Sequence, residues 1–286
     1  ITTHLHLCFH AWSIYTFCRL TSAYFSFPQQ QPMLAGSPMK SLWSNYSWSV
    51  PVLKVINTFA VLSVVFGLVA SIGQGVMQMS NGLERVGISF ESKQIGYILI
   101  LLAIGFCYIL SSLTGIGKGI KILSDVNMVA CIALMIFILL LGPTHFILET
   151  AVTSLGDYVS SFIKKGLDLK HYNNDQEWTQ NWTVNYFLWW IAWGPFVGVF
   201  IARISRGRTI REFIIGVVFV PTLFSVLWFS TLGGASIYMD MFEGTNLGEI
   251  ASKDLSAATF ALLEQLPIDI ITSVLTLFLI FIFLVT

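Results

Sequence analysis

The chain has 286 residues, of which 55% are hydrophobic and 14% aromatic, while only 10% are charged. A soluble globular domain carries about 25% charged residues, so this chain is expected to be solvated largely by lipid. Its net charge at pH 7 is zero, which argues against the basic surface typical of nucleic-acid-binding proteins. The composition therefore indicates an integral membrane protein with no nucleic-acid partner.

Seven stretches are apolar enough, and long enough, to cross a bilayer as helices, since one span takes about 20 residues. The first is the weakest, because His6, His10 and Arg19 interrupt it. The predicted spans are 4–26, 53–79, 95–113, 125–147, 184–204, 212–237 and 267–286. The sequence therefore predicts an all-α integral membrane fold. Because residue 1 lies close to one span and residue 286 lies inside another, we expect the chain to be a fragment of a longer protein.

Two of the connecting segments are predicted to form amphipathic surface helices on the outer side of the membrane. Residues 149–167 and 255–266 each place apolar residues near helical spacing, with charged residues between them. Helices of this kind lie in the membrane interface more often than they span the bilayer.

The distribution of lysine and arginine predicts the orientation, because cytoplasmic loops carry an excess of these residues. Nine basic residues fall on one set of loops and ends, and six fall on the other. The larger set comprises Arg19, Lys40, Lys54, Lys118, Lys121, Arg203, Arg206, Arg208 and Arg211. The smaller set comprises Arg85, Lys93, Lys164, Lys165, Lys170 and Lys253. We therefore expect a plasma-membrane protein with residue 1 outside and residue 286 in the cytoplasm.

The span 184–204 concentrates aromatic residues beside a helix-breaking pair. Trp189, Trp190 and Trp193 share one helical face, and Gly194-Pro195 is predicted to break the helix just before Phe196. Non-helical backbone at membrane depth is tolerated mainly where it is buried or lines a cavity. An aromatic belt at the membrane interface is the alternative interpretation, but a belt requires no helix break. The pattern favours a binding site.

Acidic and lysine residues are missing from the interior of the six strongest predicted spans, so the usual proton relay of buried carboxylates is not visible. A cation entering the bundle would meet ring faces and backbone carbonyls instead. Aromatic cages suit methylated ammonium groups, with each contact contributing about 0.5–2 kcal/mol. The sequence thus predicts a site for a quaternary ammonium compound.

The first span offers a second aromatic set, Trp12 and Tyr15, which are three residues apart. His4, His6 and His10 lie nearby, but no Cys, Asp or Glu accompanies them at metal-ligand spacing, so no metal site is predicted. The four cysteines lie in apolar segments and are interpreted as small buried hydrophobic residues. Whether Trp12 and Tyr15 face the same cavity as the tryptophans of span 184–204 is left open by the sequence.

A basic segment follows the aromatic span at its cytoplasmic end. Arg203, Arg206, Arg208 and Arg211 are expected to anchor the topology. A second hypothesis is that they contribute to an inner gate by pairing with acidic residues on neighbouring helices.

The run Trp189-Trp190-Ile191-Ala192-Trp193-Gly194-Pro195-Phe196-Val197-Gly198, continued by residues 200–212, resembles the signature helix of the betaine/choline/carnitine transporter family. Residues 6–15, 71–75, 115–120 and 142–143 agree with that family as well. The resemblance spans almost the whole chain.

The resemblance implies a leucine-transporter-like fold, with two inverted five-helix repeats, of which this chain would cover the fourth to the tenth helix. It implies that Trp189, Trp190 and Trp193 hold the trimethylammonium group, with Trp12 and Tyr15 as partner aromatics. Phe196 matches a ring associated with a second sodium site. The resemblance also suggests a homotrimer, with sodium as coupling ion and no other cofactor.

Three positions depart from the family pattern. Leu7 and Phe187 stand where tryptophan is common, and Ala11 stands where proline is usual. The exact substrate is therefore open among glycine betaine, choline and carnitine, and the coupling ion is open between sodium and a proton. The leading hypothesis is a sodium-coupled secondary transporter of a quaternary ammonium osmolyte. A seven-helix receptor for a small cation is the alternative, and no nucleophile–base or metal set supports an enzyme.

Overall fold

The computed structural model describes residues 2–113, 119–168 and 176–286. Within these ranges the chain is helical and contains no β-strand, which confirms the all-α prediction. Lys118 and Lys170, two of the charges used to predict the orientation, lie outside the described residues, as does most of segment 115–120.

The described helices follow one another along the chain with short connections. They are α1 (Thr2–Leu7), α2 (Phe9–Ser26), α3 (Ser37–Trp43), α4 (Ser49–Arg85), α5 (Lys93–Leu113), α6 (Gly119–Leu141), α7 (Thr144–Ser160), α8 (Phe162–Gly166), α9 (Gln176–Trp178), α10 (Asn185–Ile204), α11 (Ile210–Ile214), α12 (Val220–Phe242), α13 (Leu247–Lys253), α14 (Ala258–Leu263) and α15 (Asp269–Val285). Two π-helical stretches, Thr179–Val184 and Ile215–Phe219, lead into α10 and α12.

Five helical segments in the described part of the chain are long and apolar enough to cross a membrane. They are Ser49–Arg85, Lys93–Ser111, Lys121–Leu141, Thr179–Ile204 and Ile210–Phe242. Each overlaps one of the seven predicted spans. The last predicted span corresponds to α15, a shorter apolar helix of 17 residues.

The first predicted span, 4–26, is divided in the structure into α1 and α2. The division falls at Cys8, whose backbone angles of φ −108° and ψ −128° are not helical. Backbone hydrogen bonds nevertheless bridge the division, since the Cys8 N–H donates to His4 O and the Trp12 N–H donates to Cys8 O. The first span is thus a bent helical segment.

The predicted boundary between span 125–147 and surface helix 149–167 lies in a different place. The helix ends at Leu141 and the next begins at Thr144, because Pro143 disfavours helical geometry in the residue before it. The Thr144 hydroxyl donates to Leu139 O at 2.6 Å and so satisfies a carbonyl at the end of α6.

The chain folds into two compact units. Unit 1 comprises residues 1–69 and 153–227, and unit 2 comprises residues 70–152 and 228–286. Unit 1 is organised around α2 and α10, which pack along their length. Their close approach requires glycine at Gly198, where a Cβ atom would lie 3.0 Å from Cys18 Cβ.

Unit 2 contains the larger apolar cluster, to which α4, α5, α6, α14 and α15 contribute. Phe260 and Leu263 are fully buried in it, although segment 255–266 was predicted to be a surface helix. Leu255, predicted to share their face, is exposed instead, because residues Leu255–Ala257 form a 3-10 turn before α14 begins. Three residues at the end of α4, Gln78, Asn81 and Arg85, contact this segment through polar side chains.

Candidate substrate-binding site

The five aromatic residues predicted to bind substrate all lie in unit 1, on two helices that pack against each other. Helix α10 carries Trp189, Trp190 and Trp193, and helix α2 carries Trp12 and Tyr15. The tryptophans are half-buried, and Tyr15 is buried. The two aromatic sets that the sequence left separate therefore belong to one helix pair.

Three of these rings lie against one another and form what we call the aromatic triad: Trp12, Tyr15 and Trp190. The ring centroids of Tyr15 and Trp190 are 4.8 Å apart, with an angle of 56° between the planes. Trp12 lies 5.9 Å from Trp190 at 58°, and 5.9 Å from Tyr15 at 82°. Tilted and edge-to-face geometries are those that aromatic pairs prefer. Because no pair is stacked in parallel, no two rings of the triad cover each other face to face.

The other two tryptophans of α10 have different ring partners. Trp189 stacks with Tyr186 at 6.3 Å, and Trp193 meets Phe196 edge to face at 6.1 Å. Trp193 also lies against Gly67 of α4, where a Cβ atom would come within 2.8 Å of the indole nitrogen. The structure thus joins Trp190 to the rings of α2, whereas the described ring contacts of Trp189 and Trp193 are with other residues of α10, although Trp193 packs against the same apolar cluster as Trp190.

The predicted helix break at Gly194-Pro195 is wrong, because α10 continues through both residues to Ile204. An interior proline removes one backbone hydrogen bond and its ring crowds the carbonyl four residues earlier, but a helix can continue through it when packing offsets that cost. The structure gives Gly194 another role. It is buried, and a Cβ atom there would lie 3.1 Å from Cys18 Sγ, so glycine lets α2 approach α10.

The ion-binding and gating residues suggested by the sequence are exposed. Phe196 is 53% exposed, and its described ring contact is with Trp193. The four arginines predicted to form a gate or anchor are exposed, and within the described ranges they form no salt bridge with a carboxylate. They are Arg203, Arg206, Arg208 and Arg211. Their ion and gate roles stay predictions.

Two histidines of the first span connect it to other elements of unit 1. His6 Nε2 is hydrogen-bonded to Thr183 Oγ1 at 3.0 Å, and its ring stacks on Tyr186 at 5.6 Å. His10 Nδ1 is hydrogen-bonded to the Tyr158 hydroxyl at 2.9 Å. Burial raises the pKa of Tyr158 to about 12, so this hydroxyl stays protonated. The sequence shows that His6 and His10 are four residues apart and so lie on one helical face. It does not identify their hydrogen-bond partners.

The part of the chain that the structure describes shows no candidate metal site. No cluster of three or more His, Cys, Asp or Glu side chains could hold a metal ion there. The four cysteines are free thiols, and Cys8 is buried.

The structure places Arg19 in a different environment from the one that the sequence predicted. Arg19 was counted among the charges of the cytoplasmic loops and ends, yet it lies inside α2 with only 5% of its surface exposed. Its Cζ atom lies 3.1 Å from the centroid of the Phe213 ring. The charge interrupting an apolar helix was visible in the sequence, but the contact between α2 and α11 that buries it was not.

Comparison with known proteins assigns the chain to a family. The model of the betaine/carnitine/choline family of transporters matches residues 1–286. The chain belongs to this family. The chain is 36% identical over 280 residues to an ectoine/hydroxyectoine transporter of Virgibacillus pantothenticus, covering 96% of the chain and 54% of that protein. It is 35% identical over 285 residues to a glycine betaine transporter of Bacillus subtilis, covering 99% of the chain and 55% of that protein.

A third relative is an osmo-dependent choline transporter of Acinetobacter baylyi, 34% identical over 268 residues, covering 93% of the chain and 39% of that protein. The chain spans about half the length of these two curated relatives, the ectoine/hydroxyectoine transporter and the glycine betaine transporter. The betaine/carnitine/choline family consists of multi-pass transporters of the plasma membrane and not of enzymes, and the match gives no support to the seven-helix receptor.

Proposed function

We propose that the protein containing this chain is a secondary transporter that takes up a quaternary ammonium osmolyte, glycine betaine or choline, by symport with sodium. The aromatic triad would hold the methylated ammonium group, and alternating access would follow from movement of helices around the bound substrate. Relatives named for glycine betaine and for choline support this class of substrate.

The observation that carries the proposal is the grouping of Trp12, Tyr15 and Trp190 on two packed helices. A cation is attracted by an aromatic ring when it lies within about 6 Å of the ring centroid. The three centroids are at most 5.9 Å apart, so an ammonium group that contacts one of these rings would lie near the other two. A methylated ammonium group needs no hydrogen-bond partner. The rings of the aromatic triad supply few such partners.

Trp189 and Trp193 extend the aromatic surface along α10, and Phe196 continues it beyond Trp193. In the proposal, the two tryptophans also hold the methylated ammonium group, as the resemblance implies, and Phe196 contributes to a sodium site. The exposed arginines after α10 would close the cytoplasmic side. Each of these roles rests on the resemblance and on the position of the residue along the helix.

The test is uptake of labelled glycine betaine by the full-length protein in proteoliposomes, with and without a sodium gradient. We expect uptake to require sodium and Trp190→Ala to lower kcat/KM by about 100-fold or more, since a large ring and its cation–π contacts are lost. Trp48→Ala is the matched control, because Trp48 lies before α4, far along the chain from the triad, and is 46% exposed.

Uptake by Trp190→Ala equal to that of the control would remove the aromatic triad from the mechanism. Uptake that is unchanged when sodium is replaced by potassium at constant pH would remove sodium as the coupling ion and leave the substrate site in place.

A further inference from the structure

The buried guanidinium of Arg19 lacks the partners that a buried charge normally has. Its Nε and Nη1 atoms are buried, and within residues 2–113, 119–168 and 176–286 neither has a hydrogen-bond partner. None of the described carboxylates forms a salt bridge with it. Burying an unpaired charge is costly, and such residues inside membrane segments usually mark a functional site.

The ring beneath Arg19 does not replace those partners. Phe213 offers a cation–π contact, with 3.1 Å between Arg19 Cζ and the ring centroid. That contact attracts the charge through the guanidinium face, but it accepts no in-plane N–H hydrogen bond. The neighbouring carboxylate of Glu212 is engaged elsewhere, since it accepts hydrogen bonds from the backbone and hydroxyl of Thr209. The Nε and Nη1 donors of the planar guanidinium therefore have no acceptor among the described residues.

The position of Arg19 relates it directly to the aromatic triad. Arg19 and Tyr15 are four residues apart on α2, so their side chains lie on the same helical face, with about 5–6 Å between Cβ atoms. Helical side chains lean toward the N-terminus, which directs Arg19 toward the turn that carries Tyr15. Tyr15 and Phe213 are buried members of one apolar cluster, against which Trp12 and Trp190 also pack.

We propose that Arg19 binds the carboxylate of a zwitterionic substrate whose methylated ammonium group lies against the aromatic triad. The inference rests on the proposed function and specifies its substrate class. A compact zwitterion such as glycine betaine separates its two charges by only a few bonds, which matches one helical turn between Tyr15 and Arg19. The guanidinium fork suits a carboxylate, with which it forms paired charge-assisted hydrogen bonds.

Arg19 also rejects a substrate that carries only the cation. Choline has a hydroxyl in place of the carboxylate, so it leaves the guanidinium unpaired and brings a second positive charge beside it. A site built to bind a polar group discriminates strongly against an analogue that lacks the group. The protein therefore belongs with carriers of methylated zwitterions, of which glycine betaine is the candidate, and choline is a poor substrate.

The experiment measures selectivity in the full-length protein in proteoliposomes. Unlabelled choline and unlabelled glycine betaine compete with labelled glycine betaine, and the ratio of their half-inhibitory concentrations is compared among variants. In the wild type we expect choline to be weaker by at least about tenfold. Arg19→Gln should lower this ratio by about tenfold or more, toward equality, whereas Arg19→Lys, which keeps the charge but loses the fork, should fall between them.

Lys54→Gln is the matched control, because it removes one positive charge from an exposed position on α4 of the same unit. Its ratio should equal that of the wild type. A ratio unchanged within twofold in Arg19→Gln would overturn the proposal, and so would equal competition by choline in the wild type, which needs no variant. Equal loss of uptake for every substrate in both Arg19 variants, with the wild-type ratio retained by a folded protein, would assign Arg19 a structural role.

The outcomes separate this inference from the proposed function. Wild-type protein that transports glycine betaine while choline competes equally contradicts only the role of Arg19. Wild-type protein that transports neither compound contradicts the proposed function itself.

Discussion

The α2–α10 pair of unit 1 and the apolar cluster of unit 2 bury side chains of different chemistry. In unit 1 the buried side-chain atoms without a hydrogen-bond partner include both ring nitrogens of His4, the Trp12 indole nitrogen and two nitrogens of Arg19. In the described part of unit 2 the corresponding atoms are one amide oxygen and two hydroxyls, and none belongs to an ionisable group.

The polar side chains around the unit 2 cluster are paired instead. Asn81 Nδ2 donates to Asp254 Oδ2 at 2.9 Å, and Gln78 Nε2 donates to Thr259 Oγ1 at 3.2 Å. Arg85 forms a salt bridge with Glu264. These pairs attach the end of α4 to segment 254–264. Unsatisfied polar groups tend to be retained where they serve a ligand, whereas satisfied groups stabilise a fold. On the proposed function, the unpaired polar groups of unit 1 belong to a binding region, whereas the paired groups of unit 2 stabilise its packing.

Deleting one ring from each unit should therefore give opposite phenotypes. Phe260 is fully buried in unit 2, so Phe260→Ala should lower the free energy of unfolding by about 3–5 kcal/mol, through lost burial and a cavity. Uptake per folded molecule should be little changed. Trp190→Ala should do the reverse, with a large loss of uptake and a smaller loss of stability, because Trp190 is only half-buried.

The measurement combines the apparent melting temperature in detergent with uptake normalised to folded protein. The predicted difference between the two units would be contradicted if Trp190→Ala and Phe260→Ala lost stability and uptake in the same proportion.

Much of unit 2 could be predicted from the sequence, because apolar length and composition are local properties. The positions of α4, α5 and α6 follow from runs of apolar residues long enough to span the bilayer. The end of α6 could have been predicted as well, since Gly142-Pro143 is a local signal.

Unit 1 required information that is not local. Trp12, Tyr15 and Trp190 were each predicted as site residues, but their grouping depends on how α2 packs on α10. Gly194 was read as part of a break, although its buried position against Cys18 is a packing feature. Arg19 was counted with the charges of the cytoplasmic loops and ends although it interrupts the predicted span 4–26, and its burial against Phe213 depends on how α2 packs on α11.

Overpacking the unit 2 cluster tests its rigidity with a matched pair of glycines on α4. A Cβ atom at Gly82 would collide with the Phe260 ring and lie 2.7 Å from Leu277 Cδ2. Nothing lies within 4 Å of the equivalent atom at Gly73. Gly82→Val should lower the free energy of unfolding by about 1–3 kcal/mol, measured by thermal unfolding in detergent, while Gly73→Val should change it by much less. Equal effects of the two substitutions would contradict the close packing of Gly82 against Phe260.

Asp254 gives unit 2 a dependence on pH. Its hydrogen bonds, above all from the Ser256 hydroxyl and then from Asn81, hold the pKa of the Asp254 carboxyl below its ordinary value of 3.8. Because the folded-state pKa is lowered, the stabilisation is complete above the ordinary value and is lost as pH falls through the folded-state value. Asn81→Ala should lower the free energy of unfolding by about 1 kcal/mol at neutral pH.

The measurement is thermal unfolding between pH 7 and pH 3 in wild type and Asn81→Ala. The difference between the two proteins should shrink as pH falls below 3.8 and the Asp254 carboxyl of the wild type begins to bind a proton. A difference that grows on acidification would show that Asn81 does not stabilise the ionised Asp254.

The smallest expected effects come from two of the ion pairs described in unit 2, Lys253–Glu249 and Arg85–Glu264. Lys253 and Glu249 are largely exposed, with 74% and 61% of their side-chain surface accessible, and lie four residues apart. Such a pair contributes about 0.3–0.5 kcal/mol. Arg85 and Glu264 are about one-third exposed and join two distant segments, so the pair should contribute more, up to about 1 kcal/mol. A double-mutant cycle for each pair in the same thermal assay measures both coupling energies. A larger coupling for Lys253–Glu249 would mean that the attachment of α4 to segment 254–264 rests on Asn81 and Gln78, and that Arg85 is dispensable to it.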